Sequence, residues 1–374
     1  MNNLEKFALE LIYSFANQSE NILISPTRLM FALAYIYTIS DVESKNKILN
    51  LLGYEDKEDL HKNLSTSIIM PTEEIPSYYN EKDIKDFCME VSSSIWIDKD
   101  IDLTQTVKES SDRWGVDIIR ANFSSKETKK RISEYVMEHT HKLIRNFNYP
   151  LDSLTKAVIL DCMFFKAKWR MTFDTEDTYK DIFYGKDFNN EVHFMKVRLR
   201  VGKYYSCRAF HAIELDYRCP CEERNYSMRI YLPIKGKKCE DVIKRILNKK
   251  ESIVFEIKPV ILDLPKYSIS TEINLSNFLK EHGLPLQKVK VNLSEDNIPE
   301  FVIDDVIQKS SLRVTEKGTE AGTSTYTSVM LGLPRKIKYI NMKVNSPFVF
   351  EIIERNSGSR LYSGIINNLS SASS

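Results

Sequence analysis

The sequence lacks any segment that predicts a membrane-spanning helix. Nowhere in its 374 residues is there a run of about 18 consecutive apolar residues, the length that such a helix needs. The opening residues, MNNLEK, show neither the basic segment nor the unbroken apolar core of a secretory signal. We therefore expect a cytoplasmic protein without a membrane partner, the alternative being export by an unconventional route.

An excess of charge of either sign is also lacking. Lys and Arg total 53 and Asp and Glu total 52, which leaves a formal net charge of +1. A chain so nearly neutral generates no overall field that would attract nucleic acid, and no nucleic-acid partner is expected. Its 42% of hydrophobic residues can instead bury a large core.

Cysteine is scarce, and the familiar catalytic motifs are missing. Six cysteines in so long a chain are too few for a disulfide framework. There is no Gly-x-Ser-x-Gly elbow, phosphate-binding loop or His-Glu-x-x-His pair. His139 and His141 stand two apart on a predicted helix and therefore point in different directions. We predict no enzyme active site, no metal site and no cofactor.

The pattern of apolar residues predicts helices mainly in the first half and strands in the second. Helical spacing occurs over residues 4–15, 44–52 and 58–69, and Ser25 and Pro26 cap a helix that runs to about Ser40. Ser124 and Glu127 predict a capping box for a further helix. Strand patterns occur at 89–97, 157–165, 226–233, 254–267 and 337–354. This order favours an α+β fold in a single domain, residues 1–374, with one large sheet.

The most informative segment is a ten-residue run without bulky apolar side chains, EKGTEAGTST, at residues 316–325. Such a run cannot anchor itself in a core, yet its small and β-branched residues fit a strand at low steric cost. We therefore predict a segment that can exist both as a loop and as a strand. Its key residues are Glu316, Gly318, Thr319, Glu320, Ala321, Gly322, Thr323, Ser324 and Thr325.

This run resembles the reactive-loop hinge of the serpins. The segments at 347–350 and 361–367 resemble that family's C-terminal signature, and those at 24–34 and 164–169 are similar to further family segments. The resemblance implies the serpin fold, with a large central mixed sheet, further sheets and about eight or nine helices. It also implies an exposed C-terminal reactive loop at about 316–340. The missing signal sequence and the sparse glycine fit an intracellular, divergent, poxvirus-like viral member.

The resemblance implies a monomeric protease inhibitor that acts as a suicide substrate. A serine protease, or alternatively a cysteine protease, would form a covalent acyl complex with the loop, which then inserts into the main sheet. Family spacing from Gly318 places the residue before the scissile bond at Gly332, with Leu331 and Leu333 as neighbouring choices and Arg335 as the alternative. The second interpretation is a non-inhibitory serpin that serves as a binding module or chaperone.

The resemblance further implies residues that control the opening of the sheet. These are Ser25, Thr27 or Arg28, Asp161, Gln308 and Trp169, and several depart from the family pattern. An Asp buried beside an Arg could form an ion pair that is costly to break. The alternative for Asp161 is a residue at a strand edge with ordinary solvation.

Overall fold

The structure is a computed structural model. It describes residues 3–56, 60, 87–142, 144, 155–219, 225–248, 253–293, 301–302, 306–319 and 337–370. None of the helices in these ranges is long and apolar enough to cross a membrane.

The described residues contain seven α-helices and one short 3-10 helix, Leu286–Lys288. The α-helices are α1 (Asn3–Ser14), α2 (Pro26–Ile39), α3 (Val42–Leu52), α4 (Gln105–Trp114), α5 (Lys126–His139), α6 (Cys239–Leu247) and α7 (Ser276–Glu281). The helix predicted at 58–69 lies outside the described residues except for Leu60, which is helical and buried.

The described ranges also contain seventeen strands. They are β1 (Ile22–Ile24), β2 (Phe87–Asp98), β3 (Val116–Ala121), β4 (Ala157–Lys168), β5 (Tyr179–Tyr184), β6 (Asn189–Ser206), β7 (Phe210–Asp216), β8 (Tyr226–Pro233), β9 (Glu256–Pro265), β10 (Tyr267–Asn274), β11 (Lys290–Val291), β12 (Phe301–Val302), β13 (Ile307–Thr315), β14 (Gly318–Thr319), β15 (Ile340–Lys343), β16 (Phe348–Glu354) and β17 (Arg360–Ile366).

Two large mixed sheets form the framework. The six-stranded sheet has the order β10, β13, β14, β4, β2, β3, in which β2 and β3 are parallel and the other neighbours are antiparallel. The nine-stranded sheet follows the path β1, β17, β16, β8, β7, β6, β9, β15, with β5 paired to β6. Strands β11 and β12 form a separate pair. The predicted mixed sheet with further sheets is confirmed.

Helix α2 is the buried helix that the sequence predicted. Ser25 is its N-cap, with a side-chain oxygen that accepts a hydrogen bond from the backbone N–H of Arg28, and Pro26 occupies the first turn. Every residue of α2 except Thr38 is buried. A helix that is buried on nearly all sides lies inside the molecule and not at its surface.

Helix α5 covers the opposite face of β2 and β4. Ile132 and Val136 on α5 share an apolar cluster with Trp96 on β2 and with Leu160 and Cys162 on β4. The side chain of Arg28 on α2 reaches Asp161 on β4 from the other face. Strands β2 and β4 therefore lie between two helices.

The capping box predicted at Ser124 is wrong by one residue. Ser125 caps α5, and its Oγ accepts a hydrogen bond from the backbone N–H of Glu127 at 3.1 Å. The N–H of Ser124 is already used, because it donates to the side chain of Asn122 at 3.2 Å. This local turn delays the start of the helix.

Candidate functional site

The chain reverses after β13 and enters between two strands of the six-stranded sheet. The two residues of β14 hydrogen-bond to β13 on one side and to β4 on the other, antiparallel to both. In this register Thr319 lies opposite Val314 on β13 and Ala167 on β4. The start of the predicted hinge is therefore already part of the sheet.

Gly318 is required by the close approach of β14 to β4. Its φ is 148°, a value that residues with a Cβ rarely adopt. A Cβ at this position would overlap the carbonyl oxygen of Ala167 and the Cα of Lys168. Only glycine allows the backbone to pass here.

Thr319 is completely buried, with 0% of its surface exposed. Its Oγ1 forms a hydrogen bond of 2.7 Å with the hydroxyl group of Tyr217. Burial raises the pKa of Tyr217 far above its ordinary value, so this phenol stays neutral. The site accepts a small hydroxyl side chain and satisfies its polar atom.

Trp169, which follows β4, hydrogen-bonds to the turn between β13 and β14. Its backbone N–H donates to the carbonyl of Lys317 at 3.0 Å, and its indole N–H donates to the carbonyl of Thr315 at 2.9 Å. Its ring stacks on Tyr217 with the centroids 4.5 Å apart. Trp169, which the resemblance named among the residues that control sheet opening, thus contacts both ends of the turn.

Glu316 is held in the same turn by an ion pair. Its carboxylate lies 3.1 Å from the ammonium of Lys266 and accepts a hydrogen bond of 2.9 Å from Thr178. Burial alone would raise the pKa of Glu316, but a backbone hydrogen bond, Thr178 and Lys266 together hold it below its ordinary value. The carboxylate is therefore charged at neutral pH.

A second polar cluster joins the N-terminus of α2 to three strands of the same sheet. The Ser25 N–H donates to Gln308 Oε1 at 2.6 Å, and the Gln308 amide donates to the Ser25 carbonyl at 2.9 Å. Arg28 donates through Nε to Asp161 Oδ1 at 2.8 Å and through Nη2 to Ser93 Oγ at 2.6 Å. Contacts to β13, β4 and β2 thus converge on one helix end.

Asp161 is a buried carboxylate, and burial disfavours its charged form. Burial raises its pKa above the ordinary value, while the Arg28 guanidinium and the Ser93 hydroxyl oppose that shift. Its Oδ2 is buried and has no hydrogen-bond partner within the described part of the chain. The side chain of Arg28 is only 3% exposed. The ion pair expected from the sequence is present, and each partner depends on the other.

The remaining predicted site residues fall into two groups. Of the two candidates at the start of α2, Arg28 contacts the six-stranded sheet through Asp161. Thr27 instead donates a hydrogen bond to the carbonyl of Arg360 on β17, in the nine-stranded sheet. Other predicted residues lie outside the described residues; they are Glu320, Ala321, Gly322, Thr323, Ser324, Thr325, Leu331, Gly332, Leu333 and Arg335.

Four residues of the two clusters were not predicted as site residues from the sequence. Thr178, Tyr217 and Lys266 complete the surroundings of the turn, and Ser93 completes those of Asp161. Each comes from a strand or strand end far away along the chain, and none belongs to a local motif. The alternation of residues 89–97 placed Ser93 on a strand but did not indicate which helix it faces.

Comparison with known proteins agrees with this arrangement. The family model described as Serpin (serine protease inhibitor) matches residues 2–369. The chain therefore belongs to the serpin family. Serpin A3-8 of Bos taurus is 26% identical over 382 residues, which cover 98% of this chain and 87% of that protein. Iripin-5 of Ixodes ricinus is 31% identical over 249 residues, covering 64% of this chain and 61% of that protein.

Solved structures show the same fold. The native stressed conformation of Arabidopsis AtSerpin1 superposes with a TM-score of 0.81 at 20% identity, covering 99% of each chain. Thyroxine-binding globulin in complex with thyroxine gives a TM-score of 0.79 at 19% identity, covering 98% of each chain. The predicted serpin fold is confirmed, and at these identities the likeness concerns the fold alone.

Proposed function

We propose that this protein inhibits a protease as a suicide substrate, through insertion of its reactive loop into the six-stranded sheet. The observation that carries the proposal is β14, whose two residues already pair with β13 and β4. Because β14 already pairs with a strand on each side, the loop can extend an existing strand. Each further residue that inserts adds main-chain hydrogen bonds to both neighbouring strands.

The register of β14 defines where the following residues would go. If β14 were extended in the same register, Ala321 would lie opposite Phe165 on β4 and Leu312 on β13. Thr325 would lie opposite Asp161 on β4 and Gln308 on β13. Inserted residues would therefore reach the polar cluster beneath α2. That cluster would control how far the sheet opens.

The alternation of a strand decides which hinge residues must be buried. Thr319 faces the core, so Ala321, Thr323 and Thr325 would face it as well. Glu320, which carries the charge, would point to the opposite face. The sequence thus has small side chains at the positions where a large or charged group would be costly.

The target protease would supply the chemistry. Its nucleophile attacks the carbonyl carbon of the scissile peptide bond, the amine of the next residue leaves, and an acyl-enzyme forms. We place the residue before the cut at Gly332, Leu331 or Leu333, with Arg335 as the alternative. Insertion of about 15 residues at ~3.3 Å each would carry the acylated protease roughly 50 Å. Hydrolysis of the acyl bond must be slower than this insertion.

A non-inhibitory role is the second candidate. Thyroxine-binding globulin, in a complex with thyroxine, has the same fold, so the fold does not by itself imply inhibition. Gly322 would also soften an inserted strand, because glycine loses more backbone entropy on ordering than alanine does.

Incubation with a panel of serine and cysteine proteases, followed by denaturing electrophoresis, tests the proposal. We expect an adduct with at least one protease that survives denaturation, because an acyl bond is covalent. A catalytically inactive mutant of the same protease is the control and should give no adduct. If every protease that cuts between residues 326 and 336 releases fragments only, the inhibitory function is refuted.

A further inference from the structure

Three side chains with metal-binding atoms meet on the face of the six-stranded sheet that α5 covers. Cys88 and Glu90 lie two residues apart near the start of β2 and therefore share one face of the strand. His141 follows the C-terminus of α5, two residues after His139. The site thus joins the sheet to the segment that leaves this helix.

The three ligand atoms are already close together. Cys88 Sγ donates to Glu90 Oε1 at 3.3 Å, and His141 Nε2 lies 2.9 Å from Glu90 Oε2. The sulfur, the carboxylate oxygen and the imidazole nitrogen all lie within 4.8 Å of one another. In a tetrahedral zinc site with bonds of 2.0–2.3 Å, ligand atoms are about 3.4 Å apart. Small side-chain movements would reach that spacing.

The position of His141 is fixed by its backbone and by an aromatic contact. His141 and Lys142 have φ values of 48° and 64°, which are uncommon for residues other than glycine. The imidazole packs on Phe164 of β4, with ring centroids 4.1 Å apart. His139 instead packs on Tyr135 of its own helix. Of the two histidines, His141 therefore lies beside Cys88 and Glu90.

We propose that Cys88, Glu90 and His141 bind a divalent transition-metal ion of the Zn²⁺ type. Thiolate, carboxylate and imidazole are all zinc ligands, and three protein ligands leave the fourth position to water. The side chains of His141 and Glu90 are 45% and 51% exposed, so an ion can reach them. On binding, the Cys88 thiol loses its proton to solvent and its sulfur bonds to the metal.

A nearby cation limits the expected affinity. Lys166 on β4 lies opposite Cys88 in the strand register, and its positive charge opposes a metal ion. The two anionic ligands, the Cys88 thiolate and the Glu90 carboxylate, outweigh that single charge. We therefore expect weaker binding than in a closed four-ligand structural site.

A bound metal would hold the end of α5 against β2. Helix α5 packs on β2 and β4, and β4 borders the position where the reactive loop would enter. A metal that ties the helix to the sheet should therefore slow loop insertion. This consequence rests on the proposed function, whereas the binding itself does not.

Protection of Cys88 from alkylation tests the site in the intact protein without any protease. Alkylation requires the free thiolate, and a coordinated sulfur reacts slowly. We expect Zn²⁺ to slow alkylation of Cys88, measured by peptide mass spectrometry, while Cys207 in the same sample continues to react. His141→Ala and Glu90→Gln should weaken this protection by at least about 10-fold in Zn²⁺ concentration. His139→Ala is the matched control and should keep it.

Co²⁺ provides an independent readout that does not depend on reactivity. Binding should produce a thiolate-to-cobalt charge-transfer band, which Cys88→Ser should abolish. Equal alkylation of Cys88 with and without Zn²⁺, or unchanged protection in both His141→Ala and Glu90→Gln, would overturn the site. If Zn²⁺ binds but leaves the rate of protease adduct formation unchanged, the site stands and the effect on insertion is refuted.

Discussion

Thr319 is the residue at which the predicted loop first becomes part of the core. It is completely buried, and its hydroxyl group is matched by the hydroxyl of Tyr217. Trp169 stacks on the same tyrosine and holds the preceding turn through two hydrogen bonds. Substitutions at this position therefore test pairing of the loop with the sheet, and they do not test recognition of the scissile bond by the protease.

Thr319→Arg should convert the inhibitor into a substrate. Thr319 is already buried between β13 and β4, so a guanidinium at this position should keep β14 out of the sheet and remove the start from which insertion proceeds. We expect protease to cleave the variant normally, while the ratio of covalent adduct to cleaved product falls at least about 10-fold, equivalent to ~1.4 kcal/mol of barrier. Thr319→Ser keeps the hydroxyl group and should remain an inhibitor. An unchanged ratio in Thr319→Arg would contradict the assigned position of the hinge.

The buried pair of Arg28 and Asp161 should make stability depend on pH. Because burial raises the pKa of Asp161 above its unfolded value, its contribution to stability is fully present below the unfolded pKa and is lost as the pH rises through the raised folded pKa. Arg28 limits that loss because it favours the ionised carboxylate.

Arg28→Met should therefore lower the thermal midpoint most at neutral pH. Removing one partner of a buried pair costs about 3–5 kcal/mol, and here protonation of Asp161 relieves part of it. We expect the difference from the unmodified protein, measured by thermal melts from about pH 7.5 down to about pH 5, to shrink on acidification. The same substitution combined with Asp161→Asn should lose this dependence. A difference that stays constant with pH would exclude Asp161 as its cause.

At the scale of elements, local signals predicted four of the seven described helices, α1, α2, α3 and α5, but not the contacts between distant elements. Helix α2 was predicted because Ser25 and Pro26 mark its start in the sequence itself. The start of α5 was misplaced by one residue because the side chain of Asn122 forms a competing turn, which the Ser-x-x-Glu pattern does not indicate. Strand β4 was predicted from its continuous apolar run, whereas the pairing of Asp161 with an arginine was suggested by the family resemblance.

The partners of the hinge could not be predicted in the same way. Tyr217 follows β7 and Lys266 lies between β9 and β10, so both reach the turn through long-range strand pairing. Nothing in their local sequence indicates that pairing. The family resemblance supplied Trp169 and Gln308 as candidates, but only the structure shows that Gln308 exchanges two hydrogen bonds with the backbone of Ser25.

The alternation of the inserted strand can be tested with two adjacent substitutions. The register of β14 places Thr325 on the core side, opposite Asp161 and Gln308, and Ser324 on the other side. We expect Thr325→Arg to abolish adduct formation while cleavage continues, and we expect Ser324→Arg to have a much smaller effect. The two variants share the same added charge and differ only in the face it occupies. Equal losses, or the reverse order, would show that the register is wrong.

At the scale of the whole molecule, the six-stranded sheet is the part that must change. Strands β4 and β13 are both antiparallel to β14, so a longer strand in its place would pair with each of them in the more favourable antiparallel arrangement. The polar cluster at α2 and the helix α5 lie on opposite faces of this region. Both the polar cluster and α5 would have to adjust to the new strand. Single substitutions in either of them should therefore affect how the whole sheet opens.

Thermal melts of the intact protein and of protein cut within residues 326–336 test loop insertion most directly. Ordinary nicking adds chain freedom and lowers stability. Insertion instead adds about ten net hydrogen bonds of ~1 kcal/mol each, so we expect the midpoint of the cut protein to rise on the order of 10 °C or more. Thr325→Arg, cut in the same way, should rise less. A midpoint that stays the same or falls after cutting would contradict the proposal that the loop enters the sheet.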